Sequence, residues 1–101
     1  MHFLSEALEN YITNNSEEEP TILKELTRET HQKVIQPRMI TGHFQGRVLS
    51  LLSKISAPKK ILEIGTYTGY SAICLAEGLQ KNGTLHTIDS NEELYLSLIH
   101  I

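Results

Sequence analysis

The sequence predicts an α/β fold in which three helices lead into a parallel sheet, and three observations carry that prediction. Apolar residues recur at helical spacing from Phe3 to Ile55. A compact apolar run, Ile61-Leu62-Glu63-Ile64, then follows two lysines and runs into a glycine turn, the signature of a parallel strand buried on both faces. A second strand signal, Thr84 to Ile88, arrives after one more helical stretch. Strand, helix and strand within about thirty residues make a βαβ unit, whose crossover obliges parallel pairing.

The elements follow in order. Phe3, Leu4, Ala7, Leu8, Tyr11 and Ile12 mark a short amphipathic helix from Phe3 to about Asn14, interrupted by Asn14-Asn15-Ser16. Glu17-Glu18-Glu19-Pro20 reads as the acidic, solvated entrance to a second helix, because carboxylates favour the positive end of its dipole and proline is tolerated in a first turn. That helix runs through Ile22, Leu23, Leu26, Thr30 and Val34 and stops near Gln36, since Pro37 disfavours helix in the residue before it. Ile40, Phe44, Val48, Leu51, Leu52 and Ile55 form one apolar stripe on a third helix that ends before Ala57-Pro58. After the first strand, Ala72, Ile73, Ala76 and Leu79 define a helix from Tyr70 to Leu79, terminated by Asn82-Gly83. A further helix begins at Asn91-Glu92-Glu93-Leu94.

The 101 residues suffice for one small domain. Residues 1–56 are expected to be the helical segment and 57–95 the first part of a ligand-binding α/β domain. Two strands do not complete an open sheet, so a truncated domain is expected. The tail Leu96-Ser97-Leu98-Ile99-His100-Ile101 also matches the translation of a common transposase sequencing adapter, CTG-TCT-CTT-ATA-CAC-ATC, which makes 96–101 a non-native tail in this reading. The alternative is the native start of the next helix.

Composition excludes several classes. A net charge of −3 gives no general attraction for nucleic acid or anionic lipid. No apolar stretch approaches the ~18 residues that span a bilayer, so no membrane partner is expected. Cys74 is the one cysteine, which excludes an internal disulfide and fits a reducing, cytoplasmic setting; its expected role is packing. The five histidines show no metal-ligand pair at i, i+4 spacing.

The chemistry concentrates in Glu63-Ile64-Gly65-Thr66-Tyr67-Thr68-Gly69-Tyr70-Ser71, between the first strand and its helix, because open α/β sheets bind ligands at the carboxyl ends of their strands. Gly65 permits a tight turn and Gly69 a close helix start. The G-x-x-x-G spacing lacks the glycine that clears space for a pyrophosphate in G-x-G-x-x-G, so a ligand with adenosine and no pyrophosphate fits better. Glu63 interrupts an apolar strand at its ligand-facing end, where an unpaired buried charge costs several kcal/mol by order of magnitude. A cationic ligand such as the ammonium and sulfonium of S-adenosylmethionine would compensate it, as would a hydrogen bond to loop amides. Asp89 closes the second strand where an acidic side chain accepts from ribose hydroxyls in nucleotide-binding units; capping the next helix is its alternative, a role Ser90 or Asn91 could fill.

On these residues the chain resembles the cation-dependent O-methyltransferases of the catechol and caffeoyl-coenzyme A type. The resemblance covers residues 37 to 95 and is carried by ILEIGTYTGYSAICLAEGL and TIDSNEEL. It implies a Rossmann-like class I methyltransferase fold, of which the chain holds the N-terminal helices and the first βαβ unit. It further implies that Glu63, Gly65, Thr66, Tyr67 and Ser71 line S-adenosylmethionine and that Asp89 holds its ribose. Met39-Ile40-Thr41-Gly42-His43-Phe44-Gln45-Gly46 is similar to the preceding family segment, in which the Thr41 equivalent touches the methionine end. Gly42 and Gly46, four apart on one helix face, would allow that approach or simple packing against the sheet.

The family's metal carboxylates and catalytic lysine belong to later strands, so no catalytic residue and no metal ligand is assigned. A Mg-type divalent cation, lowering the pKa of a substrate hydroxyl placed in line with the methyl group, is expected only in the full-length protein. The implied partner is a small hydroxyl-bearing substrate, with a homodimer open. Three rivals remain: a dinucleotide-dependent oxidoreductase, a non-catalytic helical interaction module, and an enzyme for RNA bases, which the acidic balance does not support.

Overall fold

The computed structural model describes residues 4–33, 40–90 and 98. Its elements run α1 (Glu6–Asn15), α2 (Thr21–Lys33), α3 (His43–Ser56), β1 (Lys60–Ile64), α4 (Tyr70–Ala76) and β2 (Thr84–Ile88). Local chemistry explains the boundaries. The Ser5 hydroxyl accepts from the Leu8 N–H at 3.3 Å, which starts α1 at Glu6 rather than Phe3. The Pro20 carbonyl accepts from both Leu23 and Lys24 N–H, so α2 begins after the proline and the three glutamates lie outside it. The expected extension of α2 to Gln36, and the helix expected from Asn91, fall outside the described residues, although Leu98 is helical.

α4 ends at Ala76, three residues short of the expected Leu79. Glu77, Gly78 and Leu79 donate instead to carbonyls three residues back, the tighter pattern that closes helix ends. The strands pair in parallel with Lys60 beside Thr84 and Ile64 beside Ile88, as the βαβ reading requires. This register also sets Glu63 beside Thr87.

The core lies between helices. Leu23 and Leu26 of α2 are buried with Tyr70 and Cys74 of α4, and Ile40, Leu49 and Ile73 pack around them. Cys74 is a packing residue. The helical lead-in and the α/β unit therefore share one apolar cluster.

Two expectations about burial change. The apolar stripe of α3 faces outward, with Leu51, Leu52 and Ile55 more than half exposed, while Gly46, Arg47, Ser50 and Ser53 turn inward. The reason is proximity: a Cβ on Gly46 would stand 2.7 Å from the Tyr70 ring and 2.9 Å from Cys74 Sγ, so only a small residue lets α3 lie this close to α4. Gly46 thus serves contact with α4, not the sheet. Gly42 is not on the helix face at all, because it is the N-cap of α3. Likewise β1 is not buried on both faces: Leu62 and Ile64 are exposed, since β2 is its one partner strand among the described residues.

Candidate functional site

The carboxyl ends of β1 and β2 meet the turn that leads into α4. Gly65 leaves β1 at φ +96, donating its N–H to the Ile88 carbonyl at 2.7 Å, and a Cβ there would meet nothing within 4 Å. The backbone at this position is open to a ligand approaching from outside. The Gly69 N–H closes the turn on the Thr66 carbonyl at 2.9 Å, and Tyr67 inside it holds φ +52. A left-handed conformation costs a non-glycine residue roughly 1–2 kcal/mol, so surrounding contacts must hold Tyr67 there.

Asp89 provides one such contact: its Oδ2 accepts from the Tyr67 N–H at 2.8 Å. The loop-amide bond considered for Glu63 is thus made by Asp89. Glu63, half-buried, accepts instead from hydroxyls: from Ser71 at the start of α4, and from Thr87 across the strands at 2.8 Å. The Thr66 and Thr87 hydroxyls bond at 2.6 Å. Since Thr87 donates its proton to Glu63, Thr66 donates to Thr87. The result is a chain of oriented hydroxyls ending on a carboxylate.

The structure therefore gathers Glu63, Gly65, Thr66, Tyr67, Ser71 and Asp89 around one turn. Thr41 comes from a separate element, the connection into α3, where it is half-buried. Sequence reasoning misses Thr87, yet a signal exists: the parallel register that sets Ile64 opposite Ile88 sets Thr87 opposite Glu63. Burial raises the Tyr67 hydroxyl above the ordinary tyrosine range, so Tyr67 stays a neutral donor.

Behind the turn lies a second polar cluster. Arg47 of α3, almost fully buried, donates to Glu77 Oε2 at 2.6 Å and to Glu17 Oε1 at 2.8 Å. Glu77, then Glu17, hold its guanidinium above the ordinary arginine value, against the opposing effect of burial. The Tyr70 hydroxyl donates to Glu19, and burial foremost pushes that hydroxyl far above the usual tyrosine range. Two of the three glutamates read as a solvated helix entrance thus bind buried partners.

An apolar cavity of about 280 Å³ lies between α4 and the sheet, bordered by Thr66, Ala72, Ile73, Ala76, Leu85 and Thr87. Neither Glu63 nor Asp89 borders it, whereas Thr66 and Thr87 of the Glu63 hydroxyl chain do. Among the described residues no group of three or more His, Cys, Asp or Glu could hold a metal ion. No described helix is long and apolar enough to cross a membrane.

Comparison with known proteins adds an independent line. The family model described as O-methyltransferase matches residues 13–99. Caffeoyl-CoA O-methyltransferase 1 of Zea mays is 40% identical over 93 residues, covering 90% of this chain and 36% of its own length. The caffeoyl-CoA O-methyltransferase of Petroselinum crispum is 39% identical, with 38% of its length covered. Among solved structures, the O-methyltransferase from Bacillus cereus in complex with SAH superposes with a TM-score of 0.83 at 30% identity, over 93% of this chain and 42% of that one. An O-methyltransferase from Streptomyces achromogenes in complex with SAM gives 0.81 at 29% identity, with the same coverage. The chain spans about two-fifths of the length of the proteins it matches.

Proposed function

This chain belongs to the O-methyltransferase family, and from that premise we propose that it supplies the S-adenosylmethionine-binding part of an enzyme that methylates a hydroxyl of a small, aromatic-type acceptor. The observation that carries the proposal is the pairing of two fixed carboxylates, Glu63 and Asp89, around a turn whose backbone is open at Gly65. Those residues fit the cofactor. It has a cationic end for Glu63, ribose hydroxyls for Asp89 and no pyrophosphate, and the turn has none of the extra glycine that a pyrophosphate needs. The complexes of the Bacillus and Streptomyces relatives with SAH and SAM support the choice of cofactor.

In this proposal each residue has a task. Asp89 accepts from the ribose while its other contact holds the Tyr67 N–H. Glu63, oriented by Ser71 and Thr87, faces the methionine end, with Thr41 reaching it from the connection into α3. Gly65, Thr66 and Tyr67 form the backbone floor. When bound, S-adenosylmethionine supplies an electrophilic methyl group for direct displacement by an acceptor oxygen. This chain's contribution is to fix where that methyl group sits, which is how positioning lowers a barrier. None of its residues is assigned the acceptor's proton. A Mg-type cation does not fit the described residues, and in this proposal it belongs to parts of the full-length protein outside them. The lone buried cysteine supports a cytoplasmic setting.

The test is a transfer assay on the full-length protein with methyl-labelled S-adenosylmethionine and a catechol-type acceptor, run beside a hydride-transfer assay with NAD. Labelled acceptor without NAD turnover is the expected result. NAD turnover without label would establish the oxidoreductase reading instead.

A further inference from the structure

The strained turn is held from two directions, and only one of them is the sheet. On the sheet side, Asp89 fixes the Tyr67 N–H. On the other side stands Thr30 of α2, 38 residues earlier in the chain than Thr68, whose hydroxyl lies 3.2 Å from its own. Both threonines are 1% exposed, so neither hydroxyl has water as a substitute partner. Thr30 donates its proton to the Leu26 carbonyl at 2.7 Å. The same hydroxyl is also the donor toward Thr68, so its one proton is shared between the Leu26 carbonyl and the Thr68 oxygen. Thr68 directly follows Tyr67, whose φ of +52 the turn must maintain.

Neighbouring contacts reinforce this tie. Leu23 and Leu26 of α2 pack on Tyr70 just beyond the turn, and Glu19, ahead of α2, accepts from the Tyr70 hydroxyl. The turn is thus seated between β2 and α2, with a side-chain tie to each.

We infer that Thr30 is a positioning residue for the turn at 65–69: through its buried hydroxyl contact with Thr68 it locks the turn, and with it the Tyr67 amide and the Asp89 carboxylate, into the arrangement proposed to receive S-adenosylmethionine. Its role toward the ligand rests on the function proposed above; the tie itself does not. Thr30→Val keeps the shape of the side chain and removes the hydroxyl, leaving the Thr68 hydroxyl buried without its Thr30 partner.

The experiment reads two quantities on the full-length protein. In the ligand-free state, Tyr67 amide exchange is expected to quicken by about tenfold or more in Thr30→Val at matched global stability, because the turn opens locally. Affinity for S-adenosylmethionine is expected to fall by roughly five- to twentyfold, as a raised KM for it with kcat little changed. Thr30→Ser, which restores the oxygen, is expected to recover both, an outcome that simple loss of packing would not give. Unchanged Tyr67 exchange in Thr30→Val would overturn the inference, as would a lowered Tm with unaltered cofactor affinity. Should that variant fail to fold, Thr68→Val removes the other end of the bond and carries the same expectations. A wild-type protein that binds no S-adenosylmethionine would sink the proposed function, while the exchange comparison would still decide the role of Thr30.

Discussion

Among the described residues, the carboxylate of Glu63 is held by hydroxyls and meets no cationic side chain. Its partners, Ser71 and Thr87, are hydroxyls from two other elements, and hydroxyl donors orient a charge without offsetting it. A cation arriving at the turn would therefore find an acceptor already aimed. Glu63→Gln keeps the size and one acceptor oxygen while removing that charge. It is expected to weaken S-adenosylmethionine binding about tenfold, near 1.4 kcal/mol, by calorimetry on the full-length protein. An unchanged dissociation constant would make Glu63 a structural acceptor only. The need for compensation at this residue is legible in the sequence, because a carboxylate within an apolar strand demands a reason. Its partners are not, since one strand read at a time names no neighbour; Thr87 emerges only through register. Thr30 is harder still: helical spacing places it on the stripe with Leu23 and Leu26, but nothing along the chain names Thr68 as its partner.

At the scale of elements, the order and type of the six elements given above for the described residues are legible because each carries its own periodicity or cap. Their facing is not. The apolar stripe of α3 is real, but helix period says only that such a face exists, not which neighbour takes it. The inward face is chosen by Gly46 and by Arg47, whose ion pairs with Glu77 and Glu17 join α3 to α4 and to the segment before α2. This cluster makes stability depend on acid. Arg47, by its hydrogen bonds foremost, lowers the Glu77 pKa in the folded protein. A depressed folded pKa gives stability that is present above the unfolded value, near ~4.3, and is lost as pH falls through the lower folded value. Melting temperature is therefore expected to drop more steeply below pH ~4.3 in the native sequence than in Glu77→Gln, which is less stable at neutral pH and flatter in acid. Parallel curves for the two proteins would remove Glu77 from the account.

Over the whole molecule, the described residues form a well-tied turn on an incompletely covered frame. Ile64 is 83% exposed and Ile55 73%, values that suit surfaces awaiting other layers more than a finished exterior. The relatives, of which this chain spans about two-fifths, have further chain to provide such layers. The sequence conveys the fold class because a βαβ unit has few solutions, and it conveys the ligand end of the sheet because that end is fixed by topology. It does not convey that α2 and the sheet grip the turn between them, since that depends on contacts between residues far apart in the chain. In the function proposed above, the joined ends of β1 and β2 receive S-adenosylmethionine through Asp89. Calorimetric titration of the full-length protein and its Asp89→Ala variant tests it most directly. A single saturable site is expected, with affinity falling at least about tenfold in the variant, through loss of the ribose acceptor and of the Tyr67 anchor together. Equal affinity in the two proteins would contradict it.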